Sequence, residues 1–304
     1  MRQNTQKFRG TGVALVTPFS HDAIDFESMR RMINHVIAGG VDYIVCLGTT
    51  GEATSLTPYE CDQIIAFMAE EINGRVGLVY GAFGGNNTQV IIEKMQSQNF
   101  DGIDGILSSS PNYVKPSQEG IFRHFMKLAD HSPRPIIMYN VPSRTASNME
   151  SETTVRLAES HENLLGIKEA SGDMLQGMEI IKHKPKDFLV ISGDDTVTFP
   201  LLACGGDGVI SVISNAFPRE FSEMVRTALA GDWEASRNLN YQLLDIHWYL
   251  YTEGSPVGIK GALEYLNLCS RDVRLPLVNL SEVNYAWIKT EIELAFGKMK
   301  ELST

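Results

Sequence analysis

Short apolar segments alternate with longer amphipathic segments along most of the chain. The apolar segments are rich in β-branched residues and end at small or polar residues, as strands do. Consecutive segments begin roughly 20 to 35 residues apart, which leaves room for one helix and two loops between them. We predict eight strands, at residues 13–17, 43–47, 76–81, 105–108, 136–139, 164–168, 188–192 and 208–213.

The regular exchange of strands and helices predicts a parallel sheet with right-handed crossovers. Apolar residues do not alternate with polar ones inside the strands, which indicates burial on both faces. Eight such units favour closure into a (β/α)8 TIM barrel, an α/β fold. A doubly wound open sheet is the alternative, but no G-x-G-x-x-G turn follows the first strand.

The sequence after the last predicted strand is longer than one closing helix requires. Apolar stripes at helical spacing recur there, at 224–244, 256–266 and 283–296. We therefore predict a C-terminal helical extension packed on the barrel. The predicted domains are a barrel catalytic domain at 1–222 and the helical extension at 223–304.

Local sequence also predicts where two of the helices begin and end. Apolar residues fall at three-four spacing within 26–38, and a Gly-Gly pair follows directly and ends the helix. Further on, Thr57, Pro58 and Glu60 have the spacing of a helix N-cap, a first-turn proline and a capping-box acid.

Composition and charge narrow the class of function. The chain carries a formal net charge of -11, which disfavours nucleic acid and anionic membranes as partners. No apolar run approaches the roughly 20 residues of a membrane-spanning helix. The four cysteines include no C-x-x-C pair, and we expect Cys46 and Cys204 to pack as small apolar side chains. The absence of a disulfide framework favours the cytoplasm.

A lysine ends the sixth predicted strand. Active sites of such barrels lie at the carboxyl ends of the strands, so Lys168 belongs at the site. Desolvation there would lower the pKa of the amine and make it a nucleophile. The alternative is a side chain that extends from the strand end into solvent. A second candidate, Lys260, falls in the first turn of a predicted helix, where a structural role is favoured.

Three further strand ends carry candidate binding groups. The second is followed by Gly48-Thr49-Thr50-Gly51-Glu52, whose exposed N–H groups can hold a carboxylate or phosphate, although a plain strand-to-helix turn is the simpler interpretation. Tyr139 ends the fifth strand and can carry protons, and Arg144 can bind a carboxylate. A packed aromatic and a solvated loop charge are the alternatives. Tyr113, on the loop after the fourth strand, is a candidate of the same kind or a loop aromatic that covers the core.

The sequence contains no motif typical of a metal site or of a serine hydrolase. Asp194 and Asp195 follow the seventh strand, where helix capping is a better explanation than metal binding. The histidines are scattered without an H-x-H or H-E-x-x-H pair, and no G-x-S-x-G turn occurs. We predict no metal site.

Several motifs occur together and in a characteristic order. They are the Gly48–Glu52 turn, Tyr139-Asn140-Val141-Pro142-Ser143-Arg144-Thr145, Gly166-Ile167-Lys168-Glu169-Ala170-Ser171-Gly172 and Ser192-Gly193-Asp194-Asp195. In this order they resemble the dihydrodipicolinate synthase and N-acetylneuraminate lyase family. The resemblance extends from about residue 10 to about residue 257 and is stronger to the synthase members than to the lyases.

This resemblance implies a class I, Schiff-base reaction on small-molecule substrates. Pyruvate would condense with L-aspartate 4-semialdehyde to 4-hydroxy-tetrahydrodipicolinate, on the diaminopimelate route to lysine. No cofactor would be needed, because the protonated imine is itself the electron sink. The resemblance also implies a homotetramer built as a dimer of dimers.

The resemblance implies a role for each candidate residue. Lys168 would form the imine, with Tyr139, Thr50 and Tyr113 as proton relay, and Tyr113 would come from a neighbouring subunit. The residues that would bind substrate are Thr49 and Thr50 at the pyruvate carboxylate, Arg144 at the semialdehyde carboxylate, and Gly193 and Ile210 through their backbones near Lys168.

Two alternatives and one departure stay open at this stage. The same lysine chemistry serves N-acetylneuraminate lyases and 2-keto-3-deoxy sugar acid aldolases, but Arg144 and the Thr49–Thr50 pair favour the synthase. A non-catalytic barrel that binds a keto acid is the second alternative. Many bacterial synthases are inhibited by lysine at a dimer interface. We predict weak or absent inhibition here, because among the residues at the corresponding positions only Asn86 suits the usual polar pattern; the others are Pro58, Cys61, Val90 and Asn112.

Overall fold

A computed structural model describes residues 5–297 of the chain. The strands within this range are β1 (Gly10–Ala14), β2 (Phe19–Ser20), β3 (Ala23–Ile24), β4 (Tyr43–Cys46), β5 (Gly77–Tyr80), β6 (Gly105–Ser109), β7 (Ile136–Asn140), β8 (Leu164–Glu169), β9 (Leu189–Ser192) and β10 (Gly208–Ser211). Eight of them are parallel and close into a barrel in the order β1-β10-β9-β8-β7-β6-β5-β4, and β2 and β3 form a small antiparallel hairpin.

Helices follow the strands and surround the barrel, which confirms the predicted TIM barrel. They are α1 (Phe26–Ala38), α2 (Pro58–Ile72), α3 (Thr88–Ser97), α4 (Gln118–His131), α5 (Pro142–Thr145), α6 (Ser151–Ser160), α7 (Met174–His183), α8 (Thr198–Ala203), α9 (Pro218–Leu229), α10 (Trp233–Tyr251), α11 (Val257–Tyr265) and α12 (Glu282–Phe296). Within residues 5–297, none of these helices has both the length and the apolar character needed to cross a bilayer.

Each barrel strand contributes to two separate cores. In β4, Tyr43 and Val45 belong to the cluster inside the barrel, whereas Ile44 and Cys46 belong to the cluster between barrel and helices. All four are buried because both faces of the strand are covered. This double burial explains why apolar residues run continuously through the predicted strands.

The predicted helix starts and stops are confirmed. For α1, the Asp25 side chain accepts the Ser28 N–H, and the helix ends before Gly39. For α2, Thr57 and Glu60 form a reciprocal capping box around Pro58. These caps satisfy N–H groups that the first helical turn leaves without partners.

The first strand lies earlier in the chain than predicted. It spans Gly10–Ala14 rather than 13–17, because the buried residues that follow bond to loops as well as to strands. Val16 N–H donates to the Asn215 side chain at 3.1 Å, and Thr17 Oγ1 donates to the Gly51 carbonyl at 2.7 Å. The chain therefore stays buried beyond β1 without continuing the barrel.

The two cysteines predicted to be packed behave differently. Cys46 is buried in β4, as predicted, but Cys204 is exposed. The prediction for Cys204 was wrong because this residue caps the end of α8, where the chain turns toward solvent.

Beyond α9, the helices of the predicted extension pack on one another and on the barrel. Helix α10 contacts α9, α11 and α12, and it also reaches α8. The division at residue 222 stays a prediction, and the helix α9 runs across that position. Residues 1–4 and 298–304 of the predicted domains lie outside the described residues.

Candidate active site

Lys168 and Tyr139 are neighbours on adjacent strands at the carboxyl end of the barrel. They are paired in register between β8 and β7, so both side chains point to the same side. The Lys168 Nζ lies 4.6 Å from the centroid of the Tyr139 ring. Both residues are buried, with 5% and 9% of their surfaces exposed.

The surroundings of Lys168 favour a reactive amine. Burial lowers the pKa of Lys168 to about 8, because desolvation penalises the ammonium form. The nearby Asp195 carboxylate opposes this shift, and the Arg144 guanidinium adds to it. A substantial fraction of the amine is therefore neutral slightly above neutral pH, as a nucleophile requires.

Gly193 provides the space that the Lys168 side chain occupies. A Cβ atom at position 193 would lie 3.0 Å from Lys168 Cε and 2.5 Å from the Ala170 Cβ. The Gly193 N–H donates to the Glu169 carbonyl at 2.7 Å, which fixes the end of β9 beside β8. Only glycine fits this position without moving the lysine.

The Thr49–Thr50 turn lies at the end of β4. Glu52 N–H donates to the Thr49 carbonyl at 3.0 Å, and Ala53 N–H donates to that of Gly48 at 3.4 Å. Burial raises the pKa of the Tyr139 hydroxyl, whereas Arg144 and a hydrogen bond with the Thr49 side chain lower it. Thr49 and Tyr139 therefore meet at the barrel mouth, although they belong to different strands.

Arg144 lies in α5, a single helical turn directly after β7. The buried Asn140 side chain holds this segment, because its Oδ1 accepts the Met149 N–H at 3.0 Å and its Nδ2 donates to Asn148 at 2.8 Å. Arg144 itself is exposed, and it faces the same cavity as Lys168.

These residues enclose one cavity of about 910 Å³ at the carboxyl end of the barrel. Six of the eight predicted site residues line it, namely Thr49, Thr50, Tyr139, Arg144, Lys168 and Gly193. The volume is sufficient for two small substrates.

The other two predicted residues do not line the cavity of this single chain. Tyr113 lies on the loop between β6 and α4, is 88% exposed and has a φ of 60°. Ile210 is buried in β10 among the apolar residues inside the barrel, in the cluster that includes Tyr139. Their predicted roles stay predictions.

Helix α10 contributes a wall of the cavity that the sequence patterns did not predict. His247, Trp248 and Tyr251 line the cavity from this helix, together with Thr252 just beyond its end. Helix α10 has an exposed and a buried side, since Trp248 is 76% exposed whereas His247 is buried. The sequence of the helix does not indicate that this helix lies beside the mouth of the barrel.

The two acidic residues after β9 have separate structural roles. The Asp194 side chain caps the turn Asp195–Val197 by accepting the Thr196 N–H, as predicted. Asp195 is buried, and its Oδ2 accepts the N–H groups of Val212 and Ile213 at 2.9 and 2.8 Å. Burial raises the pKa of Asp195, while the neighbouring His247 and the hydrogen bonds lower it.

Comparison with known proteins gives a consistent result over nearly the whole chain. Residues 7–295 match the sequence profile of the Dihydrodipicolinate synthetase family. The chain belongs to this family.

Relatives within the family are similar along their full length. A 4-hydroxy-tetrahydrodipicolinate synthase of Flavobacterium psychrophilum is 49% identical over 278 residues, which cover 91% of this chain and 94% of the relative. One of Parabacteroides distasonis is 46% identical over 282 residues, with 92% and 95% covered. The crystal structure of dihydrodipicolinate synthase from Aquifex aeolicus superposes with a TM-score of 0.90 at 37% identity, covering 94% of this chain and 98% of that one.

Family membership agrees with the chemistry of the cavity. The cavity combines a buried amine with hydroxyl groups and a guanidinium, the groups that keto-acid chemistry requires. Among residues 5–297, no three His, Cys, Asp or Glu side chains are grouped so that they could hold a metal ion.

Proposed function

We propose that the chain condenses pyruvate with L-aspartate 4-semialdehyde to form 4-hydroxy-tetrahydrodipicolinate, with Lys168 as the Schiff-base residue. The product belongs to the diaminopimelate route to lysine. The single observation that carries the proposal is the buried Lys168 amine, with its pKa lowered to about 8, inside a cavity lined by Thr49, Tyr139 and Arg144. The family match and the similarity to named synthases support the same reaction.

The first half of the reaction takes place on pyruvate. The neutral Lys168 amine attacks the ketone carbon, and loss of water leaves a protonated imine. The imine withdraws electrons, so a methyl proton leaves and an enamine forms. Thr49 and Thr50 hold the pyruvate carboxylate through N–H and hydroxyl groups, which orients the ketone toward Lys168.

The second half forms the carbon–carbon bond. The enamine carbon attacks the aldehyde carbon of L-aspartate 4-semialdehyde, and the aldehyde oxygen takes up a proton. The substrate amino group then displaces the Lys168 amine from the imine, which closes the ring and frees the enzyme. Tyr139, Thr50 and Tyr113 relay the protons of these steps.

Arg144 determines which aldehyde is used. Its guanidinium is suited to a bidentate contact with the carboxylate of the semialdehyde. Gly193 and Ile210 contribute backbone groups near Lys168, and Gly193 also leaves space for the lysine side chain.

The proposal also includes an oligomer of this chain. Tyr113 is 88% exposed on its loop, which is compatible with insertion into the cavity of a second subunit. We infer a homotetramer composed of two such dimers.

The test is turnover with both substrates present. Purified protein, pyruvate and L-aspartate 4-semialdehyde are combined with the reductase that consumes the product, and NADPH loss is followed. N-acetylneuraminate and 2-keto-3-deoxygluconate are assayed in parallel for pyruvate release. NADPH loss that needs both substrates supports the proposal, whereas pyruvate release from a sugar acid alone would replace it with an aldolase function.

The role of Lys168 is tested by trapping. Borohydride reduction with pyruvate should add one 1-carboxyethyl group to the wild type and none to Lys168→Ala. The exposed Lys182 is the matched control, and Lys182→Ala should still be trapped. Trapping of Lys168→Ala at the wild-type level would contradict the assignment.

A further inference from the structure

A buried ion pair connects the Thr49–Thr50 turn to the C-terminal helices. Lys260, in α11, places its Nζ 2.5 Å from Glu52 Oε1, and the two side chains are 0% and 1% exposed. The second carboxylate oxygen of Glu52 accepts a hydrogen bond from the backbone N–H of Arg274 at 3.1 Å. Lys260 also donates to the Asp272 carbonyl at 2.7 Å. Glu52 is therefore held at both carboxylate oxygens by residues of the extension.

The backbone of the turn needs this support. Leu47 and Glu52, on either side of it, have φ values of 54° and 52°. This left-handed region is unfavourable for residues with a Cβ, and such residues persist where surrounding contacts fix them. Because the Glu52 N–H donates to the Thr49 carbonyl, the orientation of Glu52 and that of the turn are linked.

Stability alone does not explain the pair. Removing two charges from water is costly, and apolar residues of similar volume are often equally stable in such places. Burial lowers the pKa of Lys260, and the Glu52 carboxylate opposes that shift. A buried pair does fix a unique arrangement, because separating the two charges would leave each of them buried without its counter-ion.

We propose that Lys260 is a positioning residue for the pyruvate site, acting through Glu52 on the turn that presents Thr49 and Thr50. This inference rests on the proposed function. Lys260 does not line the cavity, so it affects pyruvate binding only through the turn. Arg144, which serves the second substrate, lies on a separate segment after β7.

The chain offers a matched control at the opposite end of the barrel. Lys184 and Asp207 form an ion pair of 3.0 Å, with 11% and 10% of their side chains exposed. Asp207 directly precedes β10, so this pair lies at the amino end of the barrel and away from the cavity. Lys184→Met removes a well-buried charge without loosening the turn.

The experiment compares Lys260→Met, Glu52→Gln and Lys184→Met. Borohydride trapping and intact-mass measurement give the pyruvate concentration that half-saturates the imine. We expect both Lys260→Met and Glu52→Gln to raise this concentration by about tenfold or more, since small displacements of positioning groups have large effects. The KM of the semialdehyde should stay within about twofold in both variants. Lys184→Met should lower the melting temperature and leave both constants unchanged.

The outcomes separate this inference from the proposed function. A folded Lys260→Met protein with wild-type half-saturation by pyruvate would overturn the positioning role. Failure of the proposed function looks different, because the wild type itself would then form no pyruvate adduct. If Lys260→Met does not fold, Lys260→Gln retains a hydrogen-bond donor without the charge and carries the same prediction.

Discussion

The Lys168 ammonium position lies over the face of Tyr139, with Nζ 4.6 Å from the ring centroid. An aromatic face attracts a cation, so this contact also favours the protonated imine that replaces the ammonium. Burial raises the pKa of Tyr139, and its hydroxyl therefore keeps its proton at neutral pH. In the proposed mechanism, Tyr139 thus supplies both an aromatic surface for the cation and a proton carrier.

The two contributions of Tyr139 can be separated by Tyr139→Phe. The ring stays, and the imine with pyruvate should still be trapped. The proton carrier is lost, so we expect kcat to fall by about 10²-fold or more in the coupled assay. The exposed Tyr59 provides a control, because Tyr59→Phe should leave kcat unchanged. Wild-type turnover of Tyr139→Phe would remove Tyr139 from the relay.

Imine formation should depend on the ionisation of Lys168. Because the pKa of Lys168 is lowered to about 8, the neutral amine increases as pH rises toward 8 and is dominant above it. The single-turnover rate constant with pyruvate should therefore rise about tenfold per pH unit below the midpoint and level off above it. A profile that is flat from pH 6 to 10 would contradict this assignment.

Two substitutions should move that midpoint in opposite directions. The Asp195 carboxylate raises the pKa of Lys168, so Asp195→Asn should shift the midpoint to lower pH. The Arg144 guanidinium lowers it, so Arg144→Ala should shift the midpoint upward. Shifts of the same sign would show that a change in the burial of Lys168, rather than the loss of a neighbouring charge, determines the midpoint in the two variants.

Arg144→Ala should also discriminate between the substrates. Loss of a charge-assisted contact with the semialdehyde carboxylate should lower kcat/KM for that substrate by about 10- to 100-fold. Half-saturation by pyruvate should change much less when measured well above the Lys168 midpoint. The exposed Arg123, in α4, is the control position. Equal effects on both substrates would argue against a selective role.

The contribution of Tyr113 from a second subunit can be tested by subunit mixing. Tyr113→Phe and Lys168→Ala should each be inactive or nearly so as pure proteins. If Tyr113 enters the neighbouring cavity, unfolding and refolding them together should create intact sites and recover part of the activity. Mass spectrometry should confirm hybrid oligomers. If both pure variants are inactive, hybrids without any recovered activity would show that Tyr113 acts within its own chain.

Inhibition by lysine should be weak or absent. A bound lysine would need polar partners for its charged groups. The positions expected to supply them include Cys61, which is buried, and Val90, which is apolar and 56% exposed. Initial rates of the purified enzyme with added L-lysine provide the test. Substantial inhibition at sub-millimolar lysine would contradict the prediction.

Local sequence was sufficient for the parts of the fold that depend on local physics. The strands, the α1 stripe and the Thr57 capping box follow from residue type and spacing over a few positions. Lys168 was a candidate because it ends an apolar segment, and a barrel brings all such ends to one face. The resemblance of several ordered motifs then distinguished it from Lys260.

Contacts between distant segments could not be predicted in this way. Nothing in the sequence near Glu52 indicates that Lys260 is its partner, and Lys260 had only a general structural interpretation. The position of α10 against the cavity is equally hidden, since its buried face does not say what covers it. The early end of β1 had the same cause, because Val16 and Thr17 are buried by loops.

The ion pair between Glu52 and Lys260 joins residues 208 positions apart in the chain. A ribosome that adds about 5–20 residues per second needs roughly 10 to 40 s to synthesise that interval. Throughout this time the Glu52 carboxylate is present in the nascent chain and its partner Lys260 is not. Lys260 follows all eight barrel strands in the chain, so the contact that holds the Thr49–Thr50 turn can form only after the whole barrel sequence has been synthesised.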